Sequence, residues 1–476
     1  MIVMKFGGTS IGSGQRILNV AKIVSEHHRQ QPVVVVSAIS QVTNLLAGLV
    51  SVVTLQQPSR VKTSIGRLRQ VHYQAARALK LEPTAQAELL RLVDSRLAEL
   101  ENVLASMALR GELTPKDSDL VASFGERLSI HLVVAALRQT GVNAKAVEAS
   151  SLIVSDDTFG QAGPLLPASR QKVKSGLQAL INNNITPVIT GFIAATAKGA
   201  ITTLGRGGSD YSATIIGYCL EAEEVWIWTD VDGVMTADPR LVKGARTVNE
   251  LSYDEAAELS YFGAKVLHPR TMIPAALGNM PILIKNTLQP AVRGTRISNA
   301  SHYHPDGAKV MTVLNHLSLI TVQGKGMQGV LGVAARVFTT LAKQKVNVLF
   351  ISQASSENNI SLVTSGQDGA KAAKALRQVF RSEFVTKNLE TVREEPDLSM
   401  IAVVGEGLRN HAGIAGRVFS ALGQAKINVT AIAQGSSELN ISLVVSEAKA
   451  KQALQSIHDE LHLANGKNAK LNKVAT

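Results

Sequence analysis

Three short stretches carry residues able to bind and activate small charged molecules. GRGGSD sets Arg206 among glycines, just ahead of Ser209 and Asp210. A guanidinium on such bare backbone suits a two-pronged grip on a carboxylate, and Asp210 can orient a nearby ammonium. KFGGTS places Lys5 before Gly7 and Gly8. Glycines let backbone N–H groups approach an anion, and the lysine adds a point charge. SFGERLS carries Glu126, expected at or near the start of an amphipathic helix. A carboxylate there either complements the helix dipole or, paired with Arg206, completes a clamp for a zwitterion. Each stretch taken alone is equally what a plain turn or helix start looks like.

Further motifs are weaker. WTDVDGVMTADPR, Trp228 to Arg240, reads as a strand and an acidic turn. Asp230 and Asp232 suggest a metal, but without the spacing of a calcium loop turn chemistry explains them as well. FGAKVLHPR brings Lys265, which could reach a phosphate, and a His-Pro pair at His268 expected to end a helix. GKGMQG, Gly324 to Gly329, matches a dinucleotide fingerprint formally, but no acidic residue closes the following strand, and the later GEGLRN loses the third glycine. No GxxxxGK[ST] phosphate loop occurs.

The elements that must position these residues alternate. VVVVSA (Val33 to Ala38), TPVITGFIA (Thr186 to Ala194) and EVWIWTD (Glu224 to Asp230) run apolar without alternation, as strands covered on both faces do. Helical patterns such as Ala85 to Met107 and Leu128 to Gln139 lie between them. The expectation is an α/β sandwich with a mainly parallel sheet, binding its ligand beyond the carboxyl ends of the strands. SNASHYHPDG, Ser298 to Gly307, reads as a linker. Beyond it the chain repeats: GVAARVFTTLAKQKVNVLFISQASSENNISLV from Gly332 returns as GIAGRVFSALGQAKINVTAIAQGSSELNISLV from Gly413. Two small α+β modules follow from that repeat.

The 476 residues suffice for several domains, with 45% apolar and 18% charged residues. The single cysteine, Cys219, lies in a helical pattern with no activating neighbour and reads as a buried structural thiol in a reducing compartment. Apolar runs fall far short of the ~20 residues that span a bilayer, and Lys5 interrupts any leader, so no membrane partner and a cytoplasmic location are expected. The net charge of +12 invites nucleic acid, but aromatics are only 4% and the basic residues are scattered. Anionic small molecules would use the same charge, and no nucleic-acid partner is expected.

Taken together, KFGGTS, the Ser37-to-Asn44 loop, Gly125-Glu126, GRGGSDYSA, TDVDGV–TADPR and FGAKVLHP resemble the aspartokinases of the amino-acid-kinase family, in that order and across nearly the whole chain. The two repeats resemble ACT domains, the amino-acid-sensing modules on those enzymes. FGAKVLHPRT, IKNT and the IAQGSSELNIS region are most similar to the kinase half of bifunctional aspartokinase–homoserine dehydrogenases. Because the chain ends at Thr476, a monofunctional kinase is expected. The resemblance implies an amino-acid-kinase αβα sandwich over residues 1–298, a linker over 299–315, and ferredoxin-like ACT modules over 316–395 and 396–476, a C-terminal strand of the second completing the first.

The same resemblance implies ATP-dependent phosphorylation of the L-aspartate side chain, with Mg2+ held mainly by the ATP phosphates. It puts Lys5, Asp210 and Lys265 in catalysis, and Ser37, Thr43, Glu126, Arg206 and Ser209 on aspartate. Lys5, Gly7, Gly8, Thr229, Asp230, Met235, Arg240, Lys265 and Val266 fall on ATP. Gln353 and Gln434 fall on an amino-acid effector, threonine before lysine, in a homodimer or homotetramer built through the ACT modules. Three positions depart from the family pattern: Met235 replaces a common tyrosine, Gln41 a common glycine and Ser150 a common arginine.

Overall fold

The computed structural model describes residues 1–54, 57–263, 267–299, 307–354, 356, 358–409, 411–435 and 437–464. They form two compact units. The first takes residues 1–234, 249–257 and the described part of 266–301; the second takes 235–248 and the described parts of 258–265 and 302–476.

The first unit opens with β1 (Ile2–Phe6), α1 (Gly14–Glu26) and β2 (Val33–Val36). Four helices follow: α2 (Val42–Thr54), α3 (Pro58–Ala78), α4 (Pro83–Arg110) and α5 (Pro115–Gln139). Next come β3 (Ala144–Val147), β4 (Val154–Ser155), α6 (Leu166–Asn182), β5 (Thr186–Thr190), β6 (Ile193–Thr196) and β7 (Ile201–Thr203). After these stand α7 (Gly208–Leu220), β8 (Glu224–Thr229), β9 (Glu250–Ser252), the start of α8 (Tyr253–Tyr261, divided after residue 257 between the two units), α9 (Pro269–Leu277), β10 (Ile282–Asn286) and β11 (Thr295–Ser298). Eight strands pair in the order β3-β5-β2-β1-β8-β10-β11-β9, all parallel except β10 with β11. β4, β6 and β7 make a separate small sheet.

Alternation along β1 sorts its side chains between layers. Ile2, Met4 and Phe6 join the apolar cluster with α1 to α5. Val3 and Lys5 are left for the other face, where α7 packs on β1 and α6 and α9 pack on α7. Burial on both faces explains why β2 reads as an unbroken apolar run. The expected Thr186–Ala194 strand divides into β5 and β6, with Phe192 in the left-handed region at φ 68°.

Two helix expectations need correction. Glu126 does not stand near a helix start; it lies mid-way along α5. The start is a capping box, in which the Thr114 hydroxyl accepts the Asp117 N–H and the Asp117 carboxylate accepts the Thr114 N–H, with Pro115 in the first turn. His268 starts a helix instead of ending one, its side chain accepting the Arg270 N–H ahead of Pro269. Proline lacks only an N–H that a first turn leaves unpaired anyway. By length and composition α5 would also suffice to cross a membrane, contrary to the run-length reading, but 78% of its apolar window is buried within the fold. Cys219 is buried, and burial pushes its thiol up to about 12, so it is inert at neutral pH.

The second unit contains β12 (Val310–Gln323), α10 (Val333–Lys343), β13 (Phe350–Gln353), β14 (Asn359–Ser365), α11 (Gly366–Val379) and α12 (Arg381–Val385). It continues with β15 (Thr391–Val404), α13 (Ile414–Gln424), β16 (Ala431–Ala433), β17 (Asn440–Ser446) and α14 (Glu447–Glu460). The six strands form one antiparallel sheet in the order β13-β14-β12-β15-β17-β16. β12 and β15 each serve both modules: Leu319–Gln323 pairs with 391–395, and Val310–Leu314 pairs with 400–404. A register shift after Leu314, with His316 at φ 58°, divides β12 between them.

The module edges therefore differ from the sequence reading. The expected linker 299–315 is strand from Val310 onward, and the boundary at 395/396 falls inside β15. Polar Asn315-His316 falls at the register shift, a bulge within the strand. The first half of β15 completes the first module; a strand beyond residue 464 lies outside the described residues. The Met235–Val248 segment also belongs to this unit: Ala237 and Val242 enter its core, and the Thr236 hydroxyl meets His458 Nε2 at 3.0 Å.

Candidate active site

A cavity of about 510 Å3 opens beyond the carboxyl ends of β1, β2 and β5, where an α/β sheet places its ligands. Lys5 and Gly8, Ser37 to Gln41, Thr43, Glu126, Phe192 and Gly205 to Asp210 contribute to its wall. The loops close tightly because glycine permits it. A Cβ on Gly8 would sit 2.7 Å from the Ala38 carbonyl oxygen. Gly207 caps α7 at φ 67°, with His268 where a side chain would go.

Lys5 reaches the cavity because its strand parity points it at α7. Its Nζ lies 2.5 Å from Asp210 Oδ1, with both side chains largely buried. The pair holds the ammonium in place, and an ammonium carries three donors, so further hydrogens remain to meet an anion. Ser209 and Asp210 lie in the first turn of α7, whose N–H groups lack helical acceptors. A lysine and a helix N-terminus thus share one wall.

Glu126 is 3% exposed. Its Oε1 accepts the Ala38 N–H at 3.0 Å, while its buried Oε2 has no hydrogen-bond partner among the described residues. Burial raises its pKa to about 8, with the Ala38 hydrogen bond, its own backbone N–H and the Lys5 charge pulling against the rise. Arg206 stands exposed in the turn before α7 and makes no ion pair or hydrogen bond among the described residues. The cavity wall thus offers an uncommitted cation and a half-satisfied carboxyl group.

The remaining site expectations divide. Ser37, Thr43 and Ser209 line the cavity, and Ser129 Oγ donates to the Ser37 carbonyl at 2.7 Å. Gly7, Thr229 and Asp230 do not line it; they lie at the adjacent ends of β1 and β8, joined by Gly7 N–H to the Trp228 carbonyl at 3.2 Å. Met235 and Arg240 fall in the second unit, Arg240 bound to Asp238 at 2.6 Å. Lys265 and Val266 lie outside the described residues. Gln353 ends β13 and Gln434 follows β16, both exposed. Asp232 accepts from Asn286 at 2.6 Å, and no group of three or more His, Cys, Asp or Glu is gathered among the described residues.

Sequence reasoning passed over Phe192 and Gly160 as cavity residues. It treated Gln41 only as a departure; the residue sits at φ 71°, which explains why a glycine suits the position. It also passed over Asp119, whose bonds run to residues far along the chain and leave no local signal.

Residues 1–286 match the Amino acid kinase family, and residues 320–380 and 401–461 match the ACT domain. The chain is 37% identical over 465 residues to the bifunctional aspartokinase/homoserine dehydrogenase of Haemophilus influenzae, covering 97% of this chain and 56% of that one. It is 35% identical over 472 residues to chloroplastic aspartokinase 3 of Arabidopsis thaliana, covering 96% and 80%. The chain thus spans little more than half the length of the bifunctional relatives it matches. Among solved structures it is similar to E. coli aspartokinase III in complex with aspartate and ADP, at TM-score 0.78 and 29% identity over 97% of this chain and 100% of that one. The lysine and aspartate complex of the same enzyme gives a TM-score of 0.79, over 97% and 99%.

Proposed function

From a chain that belongs to the amino acid kinase family, with aspartokinases as its relatives and ACT domains at its C-terminal end, we propose an aspartate kinase that makes 4-phospho-L-aspartate from L-aspartate and ATP. The observation that carries this reading is the pairing, in one cavity, of Arg206 with the Oε2 of Glu126, neither bonded to any of the described residues. A free amino acid presents the complementary carboxylate and ammonium. Arg206 grips the α-carboxylate and Glu126 takes the α-ammonium, with Ser37, Thr43 and Ser209 around them. This directs the side-chain carboxylate toward Lys5. One carboxylate oxygen attacks the γ-phosphorus, its bond to the β-bridging oxygen breaks, and ADP leaves with that oxygen.

An aspartate side chain with a pKa near ~3.9 is already ionised at neutral pH, so no general base is needed. The barrier is the approach of two anions. Lys5, held by Asp210, and the first turn of α7 offset charge growing on the phosphates, with Mg2+ carried by ATP. Gly7, Gly8, Thr229 and Asp230 face the nucleotide in this reading, and the resemblance extends its contacts to Met235, Arg240, Lys265 and Val266. The deciding assay is ADP release with aspartate, glutamate, acetylglutamate or no acceptor. Release that ignores aspartate sinks the proposal, and no release under any condition favours an amino-acid sensor.

Arg206→Lys keeps the charge and loses the fork, so the KM for aspartate should rise about tenfold or more while that for ATP stays within twofold. A rise confined to ATP would remove Arg206 from the acceptor.

The ACT modules are proposed to bind an amino-acid effector near Gln353 and Gln434, whose amides can both donate and accept. Similarity to the bifunctional relatives favours threonine; the lysine complex of E. coli aspartokinase III makes lysine the other candidate. A coupling of about 1–3 kcal/mol would shift aspartate affinity roughly 5–150-fold. Gln353→Ala and Gln434→Ala should relieve that inhibition and leave uninhibited turnover intact. Inhibition unchanged in both variants, titrated with threonine and lysine singly and together, would refute the placement. A homo-oligomer through these modules belongs to the same proposal, checked by light scattering with and without effector.

A further inference from the structure

We propose that Asp119 is a positioning residue for the acceptor clamp, fixing the turn that carries Arg206 by tying it to the loop of residues 156–163. This inference rests on Arg206 serving the acceptor.

Asp119 lies in the second turn of α5, away from the cavity wall, and is 4% exposed. A buried carboxylate is costly unless several donors satisfy it. Three do, from two segments distant in sequence. Oδ2 accepts the Gly160 N–H at 2.9 Å and the Thr203 N–H at 2.9 Å, and Oδ1 accepts the Thr203 hydroxyl at 2.8 Å. One carboxylate therefore bridges the loop and the end of β7, three residues before Arg206.

The bridge is reinforced on both sides. The Ala162 N–H donates to the Thr203 carbonyl at 2.9 Å, and Arg270 donates to the Gln161 carbonyl at 3.1 Å. Gly160 and Gly205 both line the cavity, and a Cβ on Gly205 would come within 3.1 Å of the Gly160 carbonyl oxygen. The loop is thus the backstop for the turn on which Arg206 is mounted. Arg206 itself is exposed, with no partner of its own among the described residues, so its place is set by backbone alone. Asp119 ties that backbone to α5, beside the Leu204 N–H bond to the Phe192 carbonyl at 2.9 Å. A fork that must meet a carboxylate in two hydrogen bonds tolerates little displacement.

Asp119→Asn keeps size and removes the charge, and its amide cannot accept from all three donors. The full-length variant should show a 10–100-fold higher KM for aspartate, a KM for ATP within twofold, and a lower preference for aspartate over the longer glutamate. Thr203→Val, which loses only the hydroxyl bond, should shift the aspartate KM less and in the same direction. Far-UV circular dichroism and active-site titration separate this from lost folded protein, which would lower apparent kcat at unchanged KM for both substrates. Arg206→Lys runs alongside. If Arg206→Lys leaves the aspartate KM unchanged, the acceptor reading fails. If Arg206→Lys raises it and Asp119→Asn does not, or if Asp119→Asn raises both KM values equally, the positioning role fails. The double variant should fall clearly short of the product of the two single effects.

Discussion

Lys5→Ala is expected to lower kcat by about 10²–10³, with the KM values for aspartate and ATP changed far less. The magnitude is that of removing one preorganised donor from a charge that develops in a transition state, about 3–4 kcal/mol. Three features argue for so large an effect. Lys5 is 8% exposed, so water cannot substitute for it easily. It is held at 2.5 Å by Asp210, so it need not reorganise during the reaction. It shares its wall with the first turn of α7, so the fields add at one place. Loss of Lys5 also strands Asp210, largely buried, without its counter-charge. Asp210→Asn in the Lys5→Ala background should therefore recover thermal stability without recovering turnover. A single variant within threefold of the parent kcat would remove Lys5 from the mechanism.

Glu126→Gln should raise the aspartate KM about 30–100-fold at pH 8, the effect of deleting one partner of a buried charge pair at roughly 2–3 kcal/mol. It should also abolish a pH dependence. In the ligand-free protein burial holds the Glu126 carboxyl protonated up to about 8, but an aspartate ammonium requires it ionised. Below that value binding must expel a proton, so apparent affinity should fall close to tenfold per unit as pH drops from 8 toward 6, and level off above 8. The substituted amide has no proton to expel, and the variant's profile should be flat.

Stability carries the opposite sign. The folded pKa is raised above the unfolded value of about 4.5, so between 4.5 and 8 the unfolded chain has lost a proton that the folded chain retains. Glu126 therefore subtracts about 1.4 kcal/mol of stability per pH unit across that window and nothing further above it. Relative to the parent, Glu126→Gln should melt at progressively higher temperature as pH rises from 5 to 8. Parallel profiles for both proteins, in binding and in melting, would refute the assignment.

How legible all this was depended on distance along the chain. Lys5 with its glycines, and Arg206 with its own, sit on continuous strand–loop or loop–helix segments, so local pattern was enough to single them out. The parallel sheet was legible because strands buried on both faces must be apolar throughout. Asp119 was not legible: its partners lie at Gly160 and Thr203, and a lone aspartate in a helix reads as solvated surface. Glu126 was singled out but misplaced along its helix, although Thr114-Pro115-Lys116-Asp117 carried the start signal. Ala237, in a stretch read as an acidic turn, and Val242 enter a core built from a repeat far downstream, so nothing local marked them.

The shared strands of the second unit also set a schedule for synthesis. Val310–Leu314 finds its partner only at residues 400–404. A chain growing at about 5–20 residues per second leaves that strand half waiting on the order of ten seconds before its neighbour exists. Until then neither module can close, because the first also needs residues 391–395. The repeat is thus two copies in the gene but one event at the ribosome, and a pause or truncation between the copies leaves both incomplete.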